Sequence, residues 1–70
     1  MTGIVTNVRD DRGFGFIKSF ETGKSYFFHV SELDNSLVFG THLLNEEFDF
    51  DVGDDRIGRP SALNVRPVGT

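Results

Sequence analysis

Cysteine and tryptophan are absent, proline occurs only twice, and no apolar run approaches the roughly 18 residues that span a bilayer. Without cysteine the chain forms no disulfide and offers no thiolate to a metal. A chain of 70 residues buries only about 60% of the surface it exposes when unfolded, so stability has to come from one tight core. That size predicts a single domain over residues 1–70. No basic-then-apolar segment of the signal type opens the chain, and the expectation is a cytoplasmic protein without membrane contact.

Positive charge is also scarce: seven Lys and Arg stand against eleven Asp and Glu, a net charge of −4. A protein that grips duplex phosphates by charge alone is not built this way. The sign is uneven along the chain, however. Residues 1–30 hold Arg9, Arg12, Lys18 and Lys24 against Asp10, Asp11 and Glu21, whereas the other eight acids lie in residues 31–70 beside only three cations. An anion would be held by the first half.

What the chain has in abundance is phenylalanine, eight residues beside one tyrosine. No window shows the i, i+3, i+4, i+7 apolar stripe of a helix, while several short segments alternate or are rich in aromatic and β-branched residues. The pattern predicts strands at Gly3 to Val8, Gly13 to Phe20, Ser25 to Val30, Glu46 to Val52 and Ser61 to Pro67. Polar turns at Asp10-Asp11-Arg12 and Glu21-Thr22-Gly23 and a loop from Gly53 to Pro60 separate them. Residues 31 to 45 have no clear periodicity, with one helical turn capped by Ser31 expected at their start. Five short strands protect their edges best by closing, which predicts an all-β fold: a small five-stranded Greek-key antiparallel barrel of the OB-fold type.

Two segments concentrate the rings. In Arg12-Gly13-Phe14-Gly15-Phe16-Ile17-Lys18, alternation puts Phe14 and Phe16 on one face and Gly13, Gly15 and Ile17 on the other. In Tyr26-Phe27-Phe28-His29-Val30, Phe27 and His29 share one face and Tyr26, Phe28 and Val30 the other. Burying every ring of both segments together with Phe48 and Phe50 would overfill so small a barrel. Phe14, Phe16, Phe27 and His29 are therefore expected outside, where they form a surface on which bases can stack, flanked by Arg12 and Lys18.

These residues carry a resemblance. Gly3-Ile4-Val5, Arg12 to Ile17, Phe27-Phe28-His29-Val30-Ser31 and Gly58-Arg59-Pro60-Ser61-Ala62-Leu63-Asn64-Val65 together resemble the cold-shock domain family, in its bacterial single-domain form and in the repeated domains of a multi-domain eukaryotic translation regulator. The resemblance implies binding of single-stranded RNA or DNA on the outer face of the second and third strands. Carried over, it makes Phe14, Phe16, Phe27, His29 and, in the long loop, Phe39 the stacking residues. Arg12 matches a basic position of the family's motif, and Arg56 and Arg59 fall in a loop that often touches the bound strand. The chain also departs from the pattern. Where the family usually has Lys-Trp-Phe-Asn on the first strand this chain has Thr6-Asn7-Val8-Arg9, and Val30 stands where an aromatic is common. Gross stacking of about 3 to 9 kcal/mol goes with those rings if their contributions add fully.

Other chemistry finds no foothold. Asp49, Asp51, Asp54 and Asp55 fail the spacing of a calcium loop, since the fifth position counted from Asp49 is Gly53. Asp49 and Asp51 read instead as the wet face of a strand whose inner face holds Phe48, Phe50 and Val52. His29, flanked by Phe and Val and without a second nearby histidine, is not a metal or catalytic residue, and His42 faces solvent. Hydrolase, zinc-protease and phosphate-loop motifs are all missing, so neither enzyme activity nor a cofactor is expected. The function expected is single-strand binding as an RNA chaperone or a regulator of transcription or translation, by a monomer. Two alternatives accompany it, a barrel used for protein interaction and a dimer that exchanges its fourth and fifth strands.

Overall fold

The computed structural model describes residues 1–55 and 57–69. Strand β1 (Thr2–Arg9) turns back into β2 (Phe14–Ser19), and β2 into β3 (Ser25–His29). After two single 3-10 turns, Val30–Glu32 and Thr41–Leu43, come β4 (Glu47–Asp54) and β5 (Pro60–Pro67). The strand order β1-β2-β3-β5-β4 closes because β4 pairs with β1, and β3 with β5 is the one parallel neighbour pair among the described strands. This is the closed five-stranded barrel that the alternation predicts.

Local chemistry sets the hairpins. At the first, Gly13 takes φ of 75°, a conformation that costs other residues about 1 to 2 kcal/mol. Its N–H and that of Arg12 both donate to the Arg9 carbonyl, at 2.9 and 3.1 Å. At the second, the hydroxyl of buried Ser19 accepts from the N–H groups of Glu21 and Thr22 and holds the turn from within. The core is Val5, Ile17, Phe28, Leu43, Phe48, Phe50, Ala62 and Val65. Gly15 admits it: a Cβ there would stand 2.6 Å from the Asn7 carbonyl oxygen and 2.8 Å from the Phe28 ring.

Three expectations need correction. Val52 is 43% exposed and not part of the core, although it lies opposite buried Ala62 on the face of Phe48 and Phe50. The ladder between β1 and β4 ends at Thr2 opposite Asp49, so from Asp51 onward β4 has only β5 beside it and Val52 lacks a β1 neighbour to cover it. The turn near Ser31 begins at Val30 and is capped by His29, whose Nδ1 accepts from the Ser31 N–H at 3.1 Å. The loop between the last two strands is shorter than Gly53 to Pro60, because β4 continues to Asp54 and Pro60 opens β5, where a strand's first residue tolerates a missing N–H. The aperiodic stretch also contributes to the core: Leu43 is buried, and Leu37 and Phe39 pack against the same cluster.

Three carboxylates sit below the ordinary value, each because hydrogen bonds favour its charged form. The leading donor is the Ser36 hydroxyl for Asp34, the Thr2 hydroxyl for Asp49, and the Arg59 backbone N–H for Asp55. A depressed folded-state pKa stabilises above the unfolded value of about 3.9 and ceases to do so as pH falls through the folded value. The stability gap between wild type and Asp49→Asn, read as urea midpoints at pH 7 and again at a pH below about 3.9, is therefore expected to shrink as the pH falls. A gap of equal size at both pH values would show that the ionised carboxylate is not its source.

Candidate nucleic-acid interface

Register builds the site. Phe14 lies opposite His29 and Phe16 opposite Phe27 in the β2–β3 ladder, and directly opposed residues share a face. The interior side of the same ladder is Gly15 opposite Phe28 and Ile17 opposite Tyr26, with Phe28 and Ile17 fully buried. Phe14, Phe16 and Phe27 are half-buried and His29 is exposed. The three phenylalanines form one cluster: centroids are 5.2 Å apart for Phe14 and Phe27, tilted by 33°, and 6.0 Å for Phe16 with each of the others, edge to face. Such packing holds the rings in place beside each other and leaves outer surface for a flat ligand. The imidazole of His29 is fixed at its Nδ1 edge by Ser31, whose Oγ is 2.9 Å away, so the arrangement leaves Nε2 as the ring's N–H.

Around the rings the structure distributes the sequence-predicted cations unequally. Lys18, two residues beyond Phe16 on β2, is exposed on the same face, and Arg12 is exposed in the β1–β2 turn. Arg59 comes from the β4–β5 loop, its guanidinium carbon 4.7 Å from the centre of the Phe27 ring and its Nε 2.9 Å from an Asp55 carboxylate oxygen. Arg56 lies outside the described residues. Phe39 stands apart from the cluster: its ring packs on that of buried Phe28, 6.4 Å between centroids, and closes the core.

Two exposed polar residues join the face that the sequence reading did not include. An irregularity in β1 between Val5 and Asn7 places Asn7 opposite Phe16 and Arg9 opposite Phe14. Counting back from the hairpin gives this register. By contrast the acids Glu46, Glu47 and Asp51 are on or beside β4, which pairs with neither β2 nor β3, whereas Asp54 and Asp55 at the end of β4 share a cleft with Phe27.

Residues 1–68 match the family described as the 'Cold-shock' DNA-binding domain. The chain belongs to this family. No curated protein matches it closely enough to count as a relative. Cold-shock domains bind nucleic acid, and this one carries Phe14, Phe16 and Phe27 at its surface. Among the described residues no group of three or more acidic or histidine side chains could hold a metal ion, and no helix is long and apolar enough to cross a membrane.

Proposed function

We propose that this cold-shock domain, acting as one unit over residues 1–70, binds single-stranded RNA or DNA by stacking bases on Phe14, Phe16, Phe27 and His29. The observation that supports the reading most directly is the ring cluster itself, three phenylalanines within 6.0 Å of one another on the outside of a barrel whose core is already filled by others. Each base stacked on an aromatic ring contributes about 1 to 3 kcal/mol, whatever the base. Arg12 and Lys18 supply charge for the backbone. Because the rings bind unstacked bases, mass action favours the open strand without nucleotide hydrolysis, which suits an RNA chaperone or a cytoplasmic regulator of transcription or translation.

A second reading, a protein-interaction module of the same fold, is favoured by Asn7 and Arg9 at the strand-one positions of the face and by the net charge of −4. Titration with a labelled pyrimidine-rich strand of about seven nucleotides separates them. Binding at micromolar concentration or below, absent for the duplex and weakened at least tenfold in Phe14→Ala with folding intact, is the result expected. Two or three neutralised phosphates give a slope of log affinity against log salt near about −1.5 to −2, and a slope beyond about −4 would assign the binding to charge instead. Failure to bind any single strand at about 100 μM would leave the protein-interaction reading.

A further inference from the structure

Arg59 is committed before any ligand arrives. Asp55 accepts at one oxygen from the backbone N–H groups of Ile57 and Arg59, both at 2.9 Å. Its other oxygen takes the Arg59 Nε at 2.9 Å and the Ser61 hydroxyl at 3.2 Å. One carboxylate thus shapes the loop and sets the guanidinium over Phe27, while the Arg59 side chain stays 54% exposed.

The surroundings of that guanidinium are wrong for a phosphate. β3 and β5 share the single register pair Phe27 with Ser61, and beside it opens a cleft of ≈ 600 Å³. Phe27, Ile57 and Leu63 give it apolar walls, and Glu32, Asp54 and Asp55 bring three carboxylates to its lining. Among its described lining residues Arg59 is the only cation, already paired with Asp55. Among these described groups a phosphate would meet more carboxylates than cations, whereas a neutral nucleobase meets flat and apolar groups, and guanidinium planes stack on bases.

We propose that Arg59 is a stacking plane and not a phosphate clamp, that Asp55 is its positioning residue, and that a nucleobase in the cleft stacks against the guanidinium carried on Phe27. The inference rests on the single-strand reading above and deepens it. It also moves the footprint. The rings that strand one lacks are offset on the opposite border of the platform, toward the β4–β5 loop.

Charge and plane are told apart by Arg59→Lys, which keeps the first and removes the second. Against the seven-nucleotide strand, Arg59→Lys and Arg59→Ala are both expected to weaken binding by about tenfold with the salt slope unchanged. With single abasic positions walked along the strand, wild type should show a penalty at one position that vanishes in Arg59→Lys. Asp55→Asn should weaken binding as well, and the Arg59 Nε–H proton resonance, shifted by the Phe27 ring in wild type, should move toward the random-coil value without any ligand present. Wild-type affinity in Arg59→Lys with loss only in Arg59→Ala would make Arg59 a point charge and overturn this inference alone. Absence of binding by wild type would overturn the single-strand reading and the inference with it.

Discussion

Phe28→Ala is expected to cost about 3 to 5 kcal/mol of folding stability, while Phe27→Ala, one residue earlier, costs about 1 kcal/mol and removes binding instead. Phe28 is fully buried and touches the interior from a central strand, so truncation leaves a cavity that a barrel closed on all sides cannot collapse. Stability for a domain of this size is about 3.5 to 10 kcal/mol in all, so the variant should be largely unfolded at 37 °C or sharply lowered in its urea midpoint. Phe27 points the other way. Its loss forfeits contacts with Phe14, Phe16 and Arg59 at the surface and leaves the core intact. Equal destabilisation by the two changes would refute the assignment of faces on β3.

Gly15→Ala should be nearly as damaging as Phe28→Ala, for the opposite reason. The added methyl would lie 2.6 Å from the carbonyl oxygen of Asn7 and 2.8 and 2.9 Å from two atoms of the Phe28 ring, closer than real Cβ contacts come. The oxygen belongs to the backbone of the neighbouring strand and cannot swing aside, and the ring is packed in the core. Relief requires β1 and β2 to separate, with a cost of about 3 kcal/mol or more. Gly13→Ala is the comparison, since the nearest atom to its methyl is a Val30 methyl at 3.4 Å and the main cost is the φ of 75°. About 1 to 2 kcal/mol is expected there. Thermal unfolding of the two variants measures the difference, and a smaller loss for Gly15→Ala than for Gly13→Ala would sink the account.

Alternation was enough to read the hairpin strands and their faces, because period-two patterning in Phe14 to Ile17 and Tyr26 to His29 is a local property of the backbone. The turns were legible for the same reason, through residues such as Gly13 whose conformation few others adopt. What was not legible depends on where strands stop beside each other. Val52 continues the alternation of Phe48 and Phe50, yet the β1–β4 ladder ends at Thr2 opposite Asp49 and leaves it uncovered. Leu43 and Phe39 complete the core from a segment without periodicity, which only the closed barrel gives a place to fill. At the site, alternation carried forward from buried Val5 misplaces Asn7 and Arg9, because an irregularity between Val5 and Asn7 resets it, and only counting back from the hairpin puts them on the aromatic face. The pairing of Arg59 with Phe27 joins a loop residue to a strand distant in sequence, a contact no local rule encodes.

The parallel seam between β3 and β5 has a consequence for motion. Elsewhere the barrel is fastened by antiparallel ladders of several residue pairs, but this joint has one rung, Phe27 with Ser61, and the bridge of Leu33 with Val65 beyond it. It is the cheapest place for the cylinder to gape, and it unites parts of the chain that meet late because the intervening loop must close first. Phe27 and Arg59 face each other across that joint. A molecule gripping both at once fits only the shut form, so occupancy works as a clasp, slowing local opening in proportion to how tightly the strand is held.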